Sequence, residues 1–289
     1  MINLKIKGGL GNQLFQYALA RSLAIKNNTS LNVDYSSYNQ PGTDTPRQYE
    51  LNLFNTKVVS NNKSSFFYFV LSFLNKVFNK LGFRRTTYFN QYYFEKGVNF
   101  DNKILFLKDN SWLTGFFQSE EYFNNISELI RSELTFKDIS SLEKLSVYQE
   151  IRKTNAVFIH IRRGDYINNP RYANFYYSCP LDYYKQAIAL IEKRVNNPKF
   201  FIFSDDADWV RENLMIDNAV FISALKLKDY EDLFLMSQCQ HAIIANSSFS
   251  WWGAWLINSK DKIIVAPEKW FQNDKIDSSD IIPESWIKL

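Results

Sequence analysis

Apolar runs and polar clusters alternate along the second half of the chain. Residues 156–161 are apolar apart from His160, and Arg162, Arg163, Gly164 and Asp165 follow at once. A short apolar run ended by charge and glycine predicts a strand buried on both faces as it leaves a parallel sheet. Leu181, Tyr184, Ala187, Ile188, Ile191 and Val195 then recur at helical spacing. Residues 199–203 read as a strand that ends in Ser204, Asp205 and Asp206. A helix from Asp208, a strand over 219–222, a helix through Tyr230, Leu233, Phe234 and Met236, and a strand over 242–245 come next. Asn246, Ser247 and Ser248 open a helix carrying Trp251, Trp252 and Trp255, and residues 263–266 form the last expected strand. This β-α alternation predicts a parallel, Rossmann-like sheet.

The first half begins the same way and then loses its pattern. Residues 2–6 alternate as a strand, Gly8, Gly9, Gly11, Asn12 and Gln13 follow, and a helix begins at Leu14. The glycine spacing is neither GxGxxG nor a P-loop. A tight strand-to-helix turn is the plainer reading, yet Asn12 and Gln13 add polar groups such a turn does not need. Residues 31–34 read as a strand, 36–64 are loop-rich, and 65–110 are aromatic without an assignable period. Residues 112–117 read as a strand, and Tyr122, Phe123, Ile126, Leu129, Ile130 and Leu134 recur at helical spacing. The polar stretch 137–154 reads as the link between halves, which divides the chain into domains 1–150 and 151–289.

Composition narrows the class. The chain has 289 residues and a net charge of +4, which suits an anionic ligand but is too weak to argue for nucleic acid. Two cysteines, Cys179 and Cys239, form no framework, so a reducing, cytoplasmic setting is expected. Two histidines make a histidine-rich metal site an unfavoured expectation. Residues 1–7 read as a strand, so a signal peptide is not expected. The most apolar run, 66–74, is too short to span a bilayer. With Lys76, Lys80, Arg84 and Arg85 it reads as a core or subdomain helix, or alternatively as a peripheral contact at the inner membrane face.

Three expected strand ends carry chemistry. They are His160, Arg162 and Arg163; Ser204, Asp205 and Asp206; and Asn246, Ser247 and Ser248. Such sheets bind ligands at the carboxyl ends of their strands. Paired guanidinium groups suit a diphosphate, and hydroxyls and amides at a helix start can hold it too. A carboxylate accepts from adjacent N–H groups such as those on the edge of guanine. The set therefore suits a nucleoside diphosphate, with guanine as a fitting base. Plainer roles compete: an N-cap or metal ligand for Asp205 and Asp206, capping for Ser247 and Ser248, core packing for His160 and the tryptophans, and a salt bridge from Arg163 to Asp165.

Four motifs carry a family resemblance, and they span nearly the whole chain in family order. Gly8-Gly-Leu-Gly-Asn-Gln-Leu-Phe-Gln-Tyr-Ala18, His160-Ile-Arg-Arg-Gly-Asp-Tyr166, Phe203-Ser-Asp-Asp206 and Asn246-Ser-Ser-Phe-Ser-Trp-Trp-Gly-Ala-Trp255 resemble the bacterial α-1,2-fucosyltransferases of glycosyltransferase family 11. The resemblance implies an α/β fold of the GT-B type, with two Rossmann-like domains facing a cleft. It implies an acceptor-side domain over 1–150 and a GDP-fucose-binding domain over 151–289. It also implies inverting transfer of L-fucose from GDP-β-L-fucose to the 2-hydroxyl of a galactose acceptor, on an oligosaccharide or lipid-linked glycan of O-antigen or capsule synthesis. No cofactor and no metal is implied. Arg162 would bind the diphosphate with His160 beside it and Arg163 in support. Asp205 or Asp206 would read guanine, Asn246, Ser247, Ser248 and Phe249 would line the phosphate turn, and Asn12 would lie near the fucose and the acceptor hydroxyl. Asp165 is the carboxylate nearest the arginines and the expected proton acceptor if a side chain serves. A GT-B transferase using another nucleotide sugar and a non-catalytic nucleotide- or glycan-binding protein are the alternatives.

Overall fold

The computed structural model describes residues 1–39, 47–60, 88–89, 92–164, 167 and 169–289. Two compact units emerge, Met1–Thr135 and Phe136–Leu289. The apolar run at 66–74 lies outside the described residues. Among the described residues no helix is long and apolar enough to cross a membrane.

In the first unit, β1 (Ile2–Lys5) runs through the glycine turn into α1 (Leu10–Lys26). The remaining elements are β2 (Leu31–Asp34), β3 (Val59–Ser60), β4 (Tyr88–Phe89), β5 (Tyr92–Phe94), β6 (Trp112–Thr114) and α2 (Ser127–Glu133). The sheet order is β3-β2-β1-β6-β5-β4, and every pairing is parallel except β4 with β5. Gly8 takes φ +85°, where a Cβ would sit 2.8 Å from the Asn12 amide nitrogen, so the turn requires glycine. Gln16 donates to the Lys7 carbonyl (2.8 Å) and accepts from the Lys7 N–H (3.0 Å), while Gln13 donates to the carbonyl of Gln48 (2.7 Å). Both glutamines are fully buried, so they act as staples that satisfy backbone groups the turn would otherwise strand.

Two expectations for this unit are corrected. The strand expected over 112–117 stops at Thr114. Phe117 adopts φ +55°, and the N–H groups of Phe116 and Phe117 donate to the Glu95 carboxylate at 2.6 and 2.8 Å instead of continuing a ladder. The helical pattern over 122–134 resolves into two 3₁₀ turns, Glu120–Tyr122 and Asn124–Ile126, ahead of α2.

The second unit contains α3 (Ser146–Lys153), β7 (Asn155–Ile161), α4 (Pro170–Ala173), α5 (Leu181–Arg194), β8 (Pro198–Ser204) and α6 (Ala207–Asn213). It continues with β9 (Val220–Phe221), α7 (Asp229–Gln238), β10 (His241–Ile243), α8 (Ser248–Trp255), β11 (Ile264–Ala266) and β12 (Ile287–Lys288). All strands are parallel, in the order β12-β11-β10-β7-β8-β9. The last strand is therefore β12 and not the one over 263–266. The polar stretch 137–154 is not only a link, because it contains α3, whose Tyr148 stacks on Phe234 of α7 at 5.7 Å. Packing thus joins residues 136–150 to the second unit, where the sequence suggested a division at 150/151.

Strand period two sorts β7 between two layers. Val157, Ile159 and Ile161 join Tyr183, Ala187 and Ile191 of α5 in one core cluster. Phe158 and His160 point to the opposite face. There a Cβ on Gly253 of α8 would lie 3.3 Å from the Phe158 ring and 2.9 Å from the Met236 sulfur of α7. Trp251, Trp252 and Trp255 are buried, and the Trp251 indole donates to the Ile281 carbonyl at 2.7 Å, which makes them core residues.

In the first unit, Tyr17 and Arg21 of α1 both donate to Glu133 of α2, the arginine through an Nη2–Oε1 contact of 2.8 Å. Burial and the hydrogen bond to Glu133 push the Tyr17 phenol well above its ordinary pKa. Glu133→Ala should leave a mostly buried guanidinium and a phenol without their shared acceptor, at a cost of about 3 kcal/mol. Urea unfolding of E133A measures this, and a midpoint equal to the wild type would refute the network's importance.

Candidate active site

Counted from β7, the second sheet reads 3-2-1-4-5-6, the doubly wound order, with its switch point between β7 and β10. Chains on either side of that point diverge and leave a crevice at the carboxyl ends of the two strands. The residues that follow β7 and β10 there are Arg162 and Arg163 on one side and Asn246, Ser247 and Ser248 on the other.

The arginines are held from the neighbouring strand. Ile161 pairs with Ser204 at the end of the β7–β8 ladder, so Asp205 and Asp206 emerge beside Arg162 and Arg163. Arg162 Nη1 lies 2.9 Å from Asp205 Oδ2, and the Arg163 N–H donates to Asp205 Oδ1 at 2.8 Å. Arg163 Nε donates to Asp206 Oδ2 at 3.2 Å, and its guanidinium lies 3.5 Å from the centre of the Trp209 ring. Asp206 also caps α6 by accepting from the Trp209 N–H at 3.3 Å. Gly164 makes room for this arrangement, since a Cβ there would stand 2.9 Å from Asp205 Oδ2. Asp206 is thus one partner of Arg163, and Asp165, the expected partner, lies outside the described residues.

His160 is buried on the α8 face, its ring 5.8 Å from Phe249. Burial and the neighbouring Arg162 push its pKa down to about 4 against the opposing pull of Asp205, so it is neutral at pH 7. Its Nδ1 is buried without a hydrogen-bond partner. A buried acceptor or donor left unmade is costly, and such an atom beside two arginines fits a ligand-completed site.

The β10 end divides its roles. Ser247 caps α8, its Oγ accepting from the Phe249 N–H at 3.3 Å. Asn246 is buried and its amide donates to the carbonyls of Tyr177 (2.5 Å) and Trp270 (2.8 Å). Its side chain therefore clamps two loops under the turn. Ser248 is the first residue of α8 and Phe249 the second. Asn12, the remaining expected site residue, is in the first unit, where its Oδ1 accepts from Gln118 Nε2 at 2.7 Å. Trp209 and Gly164 were not singled out from sequence. The adjacency of Gly164 to the arginines was the available signal; nothing local marked Trp209. Among the described residues no group of three or more His, Cys, Asp or Glu could hold a metal ion.

A mainly parallel α/β unit followed by a doubly wound one with paired arginines at its switch point gives the fold class, the GT-B type found in glycosyltransferases. The chain belongs to glycosyl transferase family 11, whose model matches residues 1–289. It is 36% identical over 295 residues to an α-1,2-colitosyltransferase of Escherichia coli, covering 99% of this chain and 97% of that protein. It is 33% identical to the O-antigen biosynthesis glycosyltransferase WbnK of Escherichia coli, covering 98% and 99%. In fold it is similar to the fucosyltransferase NodZ from Bradyrhizobium, with a TM-score of 0.51, 13% identity and coverage of 87% and 90%.

The displaced pKa of His160 makes stability depend on pH. Between about 4 and 6.5 the unfolded chain binds a proton that the folded histidine refuses, so this contribution is full above 6.5 and lost as the pH falls toward 4. The wild type should therefore lose up to about 1.4 kcal/mol per pH unit more than His160→Phe in that window. Urea unfolding of both proteins at several pH values checks this, and parallel slopes would contradict it.

Proposed function

We propose that the protein is an inverting galactoside α-1,2-fucosyltransferase that uses GDP-β-L-fucose and modifies a galactose-containing surface glycan, such as an O-antigen. The observation that carries this reading is the pair Arg162 and Arg163 braced by Asp205 and Asp206 at the β7–β10 switch point. A guanidinium has five N–H donors, more than the contact to Asp205 uses. Arg162 takes the diphosphate, with the α8 start at Ser247, Ser248 and Phe249 adding its helix-dipole end. His160 Nδ1 is the further polar atom available to the donor. Asp205 or Asp206 reads the base, while Arg163 supports Arg162 through the shared carboxylates. Asn12 orients the sugars from the first unit.

The chemistry follows from charge. As the bond from the anomeric carbon to the β-phosphate oxygen breaks, negative charge grows on the diphosphate. A fixed guanidinium stabilises that charge without reorganising. The acceptor 2-hydroxyl attacks the opposite face and gives up its proton, which produces the α-linkage. A second reading rests on the 36% identity to a colitosyltransferase. Colitose is fucose without its 3-hydroxyl, so the alternative donor would differ from GDP-fucose by one oxygen.

Incubation with GDP-fucose or GDP-colitose and a panel of galactosides, in excess EDTA, with linkage analysis of the products, tests the reading. We expect fucosylation at the 2-position in the presence of the chelator. Transfer of colitose alone would overturn the donor, a product at another position would overturn the linkage, and turnover restored only by Mg²⁺ or Mn²⁺ would overturn the metal-free chemistry.

Arg162 separates binding from catalysis. Arg162→Ala should lower kcat by about a hundred- to a thousandfold, the loss typical of one such stabilising donor. Arg162→Lys keeps the charge but loses the planar fork and should rescue little. A folded R162A with normal kcat and only a raised donor KM would show that Arg162 merely binds.

A further inference from the structure

In the first unit β1 and β6 lie side by side at the centre of the sheet, and a half-buried carboxylate stands close by. Glu95 follows β5, Gly115 follows β6, and the turn from Gly8 to Asn12 follows β1, so three adjacent parallel strands deliver these groups to one edge of the sheet. The carboxylate is fixed by the N–H groups of Phe116 (2.6 Å) and Phe117 (2.8 Å). Gly115 is needed for this, because a Cβ there would come within 2.8 Å of Glu95 Oε2. Phe117 is held at φ +55°, a costly conformation for a bulky residue and one that concentrates at functional sites. The half-exposed Phe116 ring carries the Lys7 ammonium 4.5 Å from its centre and would lie 3.4 Å from a Cβ on Gly8. Asn12 and Gln118, hydrogen-bonded to each other, complete the edge.

Building on the glycosyl-transfer reading given above, we infer that Glu95 is the acceptor-side carboxylate: it binds the acceptor hydroxyl and takes its proton. Each carboxylate oxygen has two lone pairs, so one N–H bond apiece leaves each able to accept again. During transfer the acceptor O–H bond breaks and the proton passes to Glu95. The acceptor oxygen bonds to the anomeric carbon, and the bond from that carbon to the β-phosphate oxygen breaks, its electron pair leaving on the diphosphate. Burial raises the pKa of Glu95, while the two N–H bonds and Lys7 oppose the rise; Lys7 is itself lowered by burial, against the pull of Glu95 and with the push of Lys5. The net upward displacement makes Glu95 a stronger base than a solvated carboxylate, as a proton acceptor requires.

The test compares wild type, Glu95→Gln, Glu95→Asp and Asp165→Asn in steady-state kinetics across about pH 5 to 8, with GDP binding measured by calorimetry and melting temperature as a folding control. We expect the wild-type kcat to fall on the acid side. E95Q should lose about a hundredfold or more in kcat together with that acid limb, while its GDP affinity stays within about threefold. E95D should keep the limb at a reduced kcat. A folded E95Q with near-normal kcat, or with a low kcat but the wild-type acid limb, overturns the inference, as does loss of the limb in D165N. Should E95Q fail to fold, the wild-type profile and E95D decide: no acid limb, or an E95D with unchanged kcat, overturns it equally. A wild type that transfers nothing from GDP-fucose refutes the donor reading instead, and the same series run with the donor it does use then reads Glu95 separately.

Discussion

Two adjacent guanidinium groups at the end of a buried strand repel one another and must be held by countercharge. At an effective dielectric constant of 20, unit charges about 4 Å apart interact by about 4 kcal/mol. The structure answers with register: β7 and β8 end together, so the aspartates emerge beside the arginines. Asp205 holds one guanidinium and the next backbone N–H, Asp206 holds the other and caps α6, and Gly164 leaves the room that Asp205 needs. The rest of the second unit serves that brace. The α5 core keeps β7 rigid, and the Asn246 clamp fixes the opposite side of the crevice.

The brace also creates a tension. Its two carboxylates neutralise much of the positive charge that an anionic ligand needs, and the same oxygens are the proposed readers of a base. Holding an arginine and accepting from guanine are compatible only where an oxygen spends its two lone pairs on different donors. Each aspartate already accepts one bond per oxygen, Asp205 from Arg162 and the Arg163 N–H and Asp206 from Arg163 and the Trp209 N–H, so a base would have to use the second lone pair of either. On the proposed reading a diphosphate of higher charge density would compete for Arg162, and release of Asp205 by that competition would free an acceptor as the ligand arrives.

Much of this was legible in the sequence. The second unit could be read almost strand by strand, because parallel strands bury both faces and show as uninterrupted apolar runs. The three polar strand ends stood out for the same reason. What could not be read is the use made of each polar atom. Gln13 looked like a polar group beyond what the turn needs but staples backbone, and Asn246 resembles a phosphate contact but clamps loops. Arg163 pairs with Asp206 of the neighbouring strand's end, a contact that sequence proximity does not suggest. The first unit was harder for a physical reason: β3 to β6 span two or three residues each, too short to display a period. Glu95 sat unnoticed in such a stretch, since its partners at 116 and 117 are distant in sequence.

Donor choice between fucose and colitose turns on an asymmetry in how pockets treat a hydroxyl. A pocket built to hydrogen-bond an OH rejects the analogue lacking it by roughly 10⁴–10⁵, because its own buried polar groups are left unpaired. A pocket without such groups rejects the added OH by only about 10². Trace transfer of fucose is therefore weak evidence for a fucosyl site, whereas refusal of colitose is strong evidence. Relatives whose donors differ by one hydroxyl need differ in only one hydrogen-bonding side chain. On the proposed reading the brace would be common to both, since it would meet the charged part of the nucleotide, and discrimination would come from groups that meet the sugar itself.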